Sequence, residues 1–198
     1  MTFHRFARPL IAALVLLGLV NAAAAGPATD QLKPAIDRVT ATLDNPALKG
    51  DSKATQRRQA LRTITDSVFD WNEMAKRSLG RHWAARTPSE RQEFVGLFRD
   101  LIERAYISKI ERYGGEKIVY SGEAVDGDTA TVRTRLMTKA EQEVPMDYRM
   151  LREGNVWRVY DVVIENISLV GNYRTQFDGI IKTSSYEELV KRIKTRAS

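Results

Sequence analysis

The side chains best suited to acid–base chemistry in this sequence are Asp161 and Glu165. They stand four residues apart in a segment with the pattern of a β-strand, which would place both carboxylates on one face. Two neighbouring carboxylates can serve as a general acid and a general base. Carboxylates in such positions more often face solvent or pair with an arginine, so this spacing gives catalysis little support.

His82 is the only histidine after residue 25, and the chain contains no cysteine. This composition excludes clustered His/Cys metal sites and Cys–His nucleophilic pairs. The sequence also lacks a glycine-rich phosphate loop and a G-x-S-x-G elbow. We therefore expect no catalytic residues, no metal site and no cofactor, and we interpret the protein as a non-enzyme.

The N-terminus has the pattern of a secretory signal peptide. Arg5 and Arg8 precede an apolar run from Leu10 to Val20, and three alanines at 23–25 form a small-residue cleavage site. The run is shorter than the ~20 residues that a membrane span needs, although an uncleaved anchor is the alternative. We predict a signal peptide over 1–25, export to the periplasm, and a single domain over 26–198 whose core provides stability without disulfides.

The chain is basic, with a formal net charge of +6, which falls to about +4 without the two arginines of the signal peptide. In a cytoplasmic protein this balance would suggest nucleic acid. In an exported protein it suits anionic membrane surfaces or acidic partners better, so no nucleic-acid partner is expected. The simpler alternative is that these charges belong to solvated helix faces.

The clearest helix begins at Thr87, with Pro88 at its first position and Glu90 completing a capping box. Its wide apolar stripe extends to residue 113, before a pair of glycines. Similar stripes or caps predict further helices at about 32–43, 51–68, 70–79, 173–181 and 185–193.

Four strands are predicted between these groups of helices, at about 117–125, 129–138, 143–152 and from 156. Simple alternation divides the fourth strand into two apolar faces: Trp157, Val159 and Val163 on one, and Val156, Tyr160, Val162 and Ile164 on the other. Such a strand should be covered on both sides. Helices, then an antiparallel meander, then helices predict an α+β fold with a curved four-stranded antiparallel sheet packed by helices.

Many large apolar side chains, several of them methionine or aromatic, are available between the helices and the sheet. Such residues can line an adaptable ligand cavity, and they can equally fill a core. The residues alone leave both possibilities open.

Two groups of residues resemble the MlaC-like family of periplasmic phospholipid-binding proteins, also called the toluene-tolerance family. The first is the segment F-D-W-N-E-M-A-K-R-S-L-G at 69–80, followed by Trp83, Thr87-Pro88 and Phe94. The second is Y-D-V-V-I-E at 160–165, S-L-V at 168–170 and N-Y-R-T-Q-F at 172–177. The similarity covers essentially all of 26–198. Asn166 departs from the glycine that the family often carries there, which affects only the expected turn geometry.

The resemblance implies a cone like that of nuclear transport factors, with an apolar cavity that holds the acyl chains. It also implies a phospholipid carrier, with the lipid as cargo, that shuttles between the outer and inner membranes and helps maintain outer-membrane lipid asymmetry. The implied partners are an inner-membrane ABC transporter complex and an outer-membrane lipoprotein–porin complex, with only transient contact to either.

Within this interpretation, the expected lining of the cavity is large and apolar. The candidates are Met74, Phe98, Ile102, Tyr106, Met146, Tyr148, Met150, Val162, Ile164 and Phe177. Tyr173 and Arg174 are the candidates for the head-group contact at the mouth. The alternative is that Arg174 stabilises the strand–helix turn by pairing with Asp161 or Glu165.

The residues are compatible with two other functions. A ligand-free adaptor in the cell envelope would have a closed, well-packed core. A small enzyme on a cone-like fold would need His82 beside a carboxylate inside the pocket.

Overall fold

A computed structural model describes residues 26–195, so the predicted signal peptide lies outside the described residues. The helices are α1 (Pro27–Asp44), α2 (Ala54–Val68), α3 (Trp71–Leu79), α4 (Pro88–Ile110), α5 (Leu169–Thr183) and α6 (Tyr186–Thr195). The strands are β1 (Lys117–Asp126), β2 (Thr129–Met137), β3 (Glu143–Glu153), β4 (Val156–Ile164) and β5 (Ile167–Ser168). Short 3-10 turns cover Pro46–Leu48, Asp51–Lys53 and Gly80–His82.

The sheet is an antiparallel meander in the order β1-β2-β3-β4-β5. The predicted α+β class is confirmed, with β5 as an additional strand of two residues that pairs back onto β4. Glu165 and Asn166 make the tight turn between them with φ values of 50° and 66°. Asparagine tolerates this left-handed conformation, so the family's usual glycine is not needed here.

Local caps explain where three helices begin. The Thr87 hydroxyl accepts a hydrogen bond from the Glu90 backbone N–H, and the Glu90 carboxylate accepts one from the Thr87 N–H, which confirms the predicted capping box. Asp70 caps α3 through the Glu73 N–H, and Ser185 caps α6 through the Glu188 N–H. Four helix boundaries differ from prediction. α4 ends at Ile110 rather than 113, and α2 begins at Ala54, after the 3-10 turn. α1 begins at Pro27 rather than about 32, and α5 begins at Leu169 rather than about 173.

β4 lies between two apolar clusters, as its two apolar faces predict. The helical cluster joins α3, α4, α5 and α6, and Phe94 and Phe98 at its centre are fully buried. The sheet cluster joins β2, β3 and β4 to α1 and the end of α2. On the other face of β4, the Tyr160 ring packs against the helical cluster. The Arg77 guanidinium lies over this ring.

The predicted division of β4 into faces is wrong beyond Val159. A β-bulge interrupts the pairing with β3, because Met150 pairs with Val159 whereas the preceding Arg149 pairs with Asp161. Tyr160 is the extra residue, and the alternation of side chains resumes one position later. Val162 and Ile164 therefore join Trp157 and Val159 in the sheet cluster.

No helix within 26–195 is long and apolar enough to cross a membrane.

Candidate functional site

The face of the sheet that meets α1 and α2, here called the inner face, is closely packed at one end. Val132, Met150 and Val159 have no exposed surface there, and they pack with Leu32 of α1. The N-terminus of α1 is fixed to the same end, because the Glu123 carboxylate on β1 accepts hydrogen bonds from the Thr29 N–H and hydroxyl, each at 2.6 Å. A carboxylate at a helix N-terminus is electrostatically favourable.

The other end of the inner face, here called the open half, has apolar side chains that remain partly accessible. Strand pairing places Ile118 beside Leu136 and Leu136 beside Val144, while Thr134 lies between Tyr120 and Met146. The half-buried members of the open half are Ile118, Tyr120, Leu136, Val144, Met146, Tyr148 and Ile164. Tyr120, Met146, Tyr148 and Ile164 pack against the sheet cluster, and all seven side chains keep accessible surface, as the wall of a ligand site would.

Two tyrosines occupy this region. Burial, and to a lesser extent the nearby Asp37 carboxylate, raises the pKa of Tyr120 to about 12. Burial, with Tyr120 as a second contributor, raises the pKa of Tyr148 still further above its ordinary value. Tyr148 keeps some accessible surface, although burial is the main cause of its raised pKa.

The structure brings five of the predicted lining residues together in the sheet cluster: Met146, Tyr148, Met150, Val162 and Ile164. It places the other five in the helical cluster: Met74, Phe98, Ile102, Tyr106 and Phe177. Of the second group only Tyr106 is half-buried, with the Lys109 ammonium over its ring and its pKa raised by burial. The role of these residues in lining a lipid site stays a prediction.

The two candidates for the mouth lie on α5. The Tyr173 ring packs against Phe98 and Phe177 of the helical cluster, with ring centres 5.6 and 5.5 Å away. Arg174 is exposed, and its stem crosses Gly80 so closely that a Cβ added there would lie 3.1 Å from the Arg174 Cδ. Both residues pack on the helical side of the molecule rather than in the sheet cluster.

Asp161 and Glu165 do not form the carboxylate pair that their spacing suggests. Asp161 is buried and accepts hydrogen bonds from Ser168, Val170 and Arg149, whereas Glu165 is exposed in the turn after β4. The physical reason is that β4 ends at Ile164, so Glu165 lies in the following turn with a φ of 50° instead of continuing the strand. The alternative pairing of Arg174 is also not found, since no ion pair within 26–195 joins Arg174 to either carboxylate.

His82 does have a carboxylate partner, with its Nε2 2.8 Å from an Asp178 oxygen. That carboxylate also binds Arg81 and Lys182. These hydrogen bonds hold the pKa of Asp178 well below its usual range, and the one from Lys182 has the largest effect. The group lies on the α5 surface, away from the inner face, so it does not form the enclosed acid–base pair that an enzyme of this fold would need.

A surface groove of about 680 Å³ lies between α3 and the start of α4. Its lining is Asn72, Lys76, Trp83, Pro88, Arg91, Gln92 and Val95. None of these belongs to the inner face.

The open half also contains residues outside the predicted lining, notably Tyr120, Ile118 and Leu136. Their strands were predicted, and alternation within β1 and β2 would have placed Ile118 with Tyr120 on one face. What the sequence lacks is the information on which face meets the helices.

Comparison with known proteins agrees with this architecture. The family model described as MlaC protein matches residues 33–195. The chain belongs to this family. One curated relative is the intermembrane phospholipid transport system binding protein MlaC of Haemophilus influenzae, 26% identical over 125 residues. That match covers 61% of the present chain and 58% of the relative, so the chain spans little more than half of the relative's length.

A solved structure provides the broader match for this MlaC-family chain. It is the phospholipid-binding protein from Ralstonia solanacearum in complex with a phospholipid, with a TM-score of 0.78 and 26% identity. The superposition covers 86% of the present chain and 96% of the other. The fold expected from the sequence resemblance is therefore confirmed at the level of the whole described domain.

Proposed function

We propose that this protein binds a phospholipid and carries it through the periplasm between the outer and inner membranes. The observation that carries the proposal is the partly accessible apolar surface of the open half, in a fold that closely matches a phospholipid-bound relative. In an ordinary closed core these side chains would be fully packed. Here they offer apolar surface where acyl chains can lie against the sheet.

The cost of exposing acyl chains to water requires such a surface. Each methylene exposed to water costs ~0.8 kcal/mol, so the ~30 methylenes of two acyl chains would cost on the order of 24 kcal/mol. A carrier that crosses an aqueous compartment must cover nearly all of them. The open half supplies seven large apolar or aromatic side chains toward this cover, and we propose that Tyr106 on α4 adds to it.

We further propose that the protein works as the periplasmic component of an ABC-type lipid transport system. Its partners would be the inner-membrane transporter complex and an outer-membrane lipoprotein–porin complex, with maintenance of outer-membrane lipid asymmetry as the outcome. The supports are the family membership and the curated relative's name, which describes an intermembrane phospholipid transport system. Tyr173 and Arg174 remain the proposed head-group contacts.

Native mass spectrometry of the protein purified from the periplasm, followed by lipid extraction, tests the lipid-binding proposal. We expect a phospholipid that is released on denaturation. Replacing Met146 with Glu places a charge on the open half and should abolish this lipid, whereas Val119→Glu, on the exposed opposite face of β1, should retain it. A wild-type protein that carries no lipid and takes up none from vesicles would contradict the proposal and favour the ligand-free adaptor.

A further inference from the structure

The open half contains a buried polar atom that nothing in the described protein satisfies. The hydroxyl oxygen of Tyr120 is buried and has no hydrogen-bond partner among residues 26–195. Its neighbour on β2 is Thr134, whose hydroxyl donates to the Met146 carbonyl and makes no hydrogen bond to Tyr120. Leaving such a hydroxyl unpaired destabilises a protein, so its position is informative.

A second phenol in the same region has only a weak partner. The Tyr148 hydroxyl donates to the Met146 sulfur at 3.1 Å, and a thioether is a poor acceptor. Met146, Tyr148 and Met150 lie on the same face of β3. Met150 is buried, whereas Met146 and Tyr148 keep some accessible surface. Both phenols stay protonated at neutral pH, since burial raises the pKa of each. They are therefore two donors without strong acceptors on an apolar wall.

The side chains around the two phenols favour a neutral acceptor over an anionic one. The Asp37 carboxylate contributes to the raised pKa of Tyr120, and a negative charge in this region opposes an anionic phosphate. The packed neighbours of the two phenols are apolar, which also favours a neutral acceptor over a charged one. A diacyl phospholipid has such acceptors in its two ester carbonyls, directly at the head of the acyl chains.

We propose that Tyr120 and Tyr148 form the polar subsite of the lipid site. Once an entering lipid has displaced the apolar side chains that cover the Tyr120 hydroxyl, the two phenols donate hydrogen bonds to the ester carbonyl oxygens of a diacyl phospholipid. This inference rests on the proposed lipid-binding function and adds to it a preference for ester-linked lipids. The apolar wall would hold the chains and the two phenols would fix how far they enter. The phosphate would then lie close to the inner face, so this subsite is an alternative to the head-group contact proposed for Tyr173 and Arg174 on the helical side.

The test compares two lipids with the same head group and chains, one ester-linked and the other ether-linked. The wild-type protein should bind the diether lipid about three- to tenfold more weakly for each hydrogen bond lost. Y120F should bind the diester lipid more weakly by a similar factor and lose most of the preference for it, and Y148F should show the same in part. Y160F, on the other face of β4, should keep the wild-type ratio.

Three results would be decisive. Wild-type protein that binds neither lipid would refute the lipid-binding function itself. Equal affinity for both lipids, or an ester preference that survives in Y120F and Y148F, would overturn only the subsite. Thermal unfolding of the lipid-free protein gives an independent readout: Y120F should unfold at the same or a higher temperature, because the hydroxyl it removes is unpaired. A clear fall would mean that the hydroxyl has a partner within the protein, which also overturns the proposal.

Discussion

The buried carboxylate of Asp161 connects β4 to α5, because its Oδ1 accepts a hydrogen bond from the Val170 backbone N–H at 3.0 Å. The other oxygen accepts from the Ser168 hydroxyl at 2.6 Å and from Arg149 on the neighbouring strand at 3.2 Å. Ser168 in turn caps α5 by accepting from the Gly171 N–H. One side chain thus holds the sheet, the β5 turn and the helix start in a fixed arrangement.

Replacing Asp161 with Ala should lower the free energy of unfolding by about 2–4 kcal/mol, because it leaves the buried Val170 N–H and the half-buried Ser168 hydroxyl without their acceptor. Urea unfolding of the purified variant measures this. Glu165→Gln is the matched control, four residues away and exposed, and should change stability by less than about 0.5 kcal/mol. Similar losses in the two variants would show that Asp161 is not the connecting residue.

Two methionines on one face of β3 allow packing and ligand binding to be tested separately. Met150 is fully buried and Met146 is half-buried on the open half. Met150→Ala should cost about 2–5 kcal/mol of unfolding free energy, whereas Met146→Ala should cost less because its side chain is incompletely packed. Lipid content should follow the reverse order, with the larger loss in Met146→Ala. Equal effects on both measurements would contradict the division of the inner face into a packed end and an open half.

Ion pairs between α2 and Glu111, the residue that follows α4, predict a specific acid sensitivity. Hydrogen bonds from Arg58 and Arg57 hold the pKa of Glu111 below its ordinary value of 4.5, although burial opposes them. Because the folded pKa is lower than the unfolded one, the charged carboxylate stabilises the fold. This stabilisation is complete above pH 4.5 and is lost as the pH falls through the folded pKa.

Glu111→Gln should therefore lower the unfolding free energy by about 1–2 kcal/mol at pH 7, and this difference should shrink as the pH falls below 4.5. Urea unfolding at several pH values measures it. Glu143→Gln, which breaks an exposed pair with Arg135, should cost less than about 0.5 kcal/mol at every pH. A difference between wild type and Glu111→Gln that stays constant with pH would contradict the assignment.

The sequence predicts most where structure is decided locally. The α4 start follows from Thr87 and Glu90, whose mutual hydrogen bonds need no distant partner. The bulge at Tyr160 could not be predicted, because it depends on the register of β4 against β3 and on the helices that take up the Tyr160 ring. The sequence also marks Phe98, Phe177 and Met146 equally as large apolar residues, and only the tertiary arrangement divides them between two clusters.

The predicted head-group role of Arg174 leads to the last prediction. The Arg174 guanidinium lies on the surface while its stem crosses Gly80, so the charge is available to a phosphate without being needed for packing. Arg174→Ala should then change the unfolding free energy by less than about 1 kcal/mol. It should weaken the binding of an anionic phospholipid by about 10- to 100-fold, the size of one charge-assisted hydrogen bond.

Arg135→Ala, an exposed arginine on β2, should leave lipid binding unchanged. Tyr173 and Arg174 pack on the helical side, so a variant that loses stability but keeps its lipid would assign Arg174 to the α3–α5 contact and place the head group elsewhere.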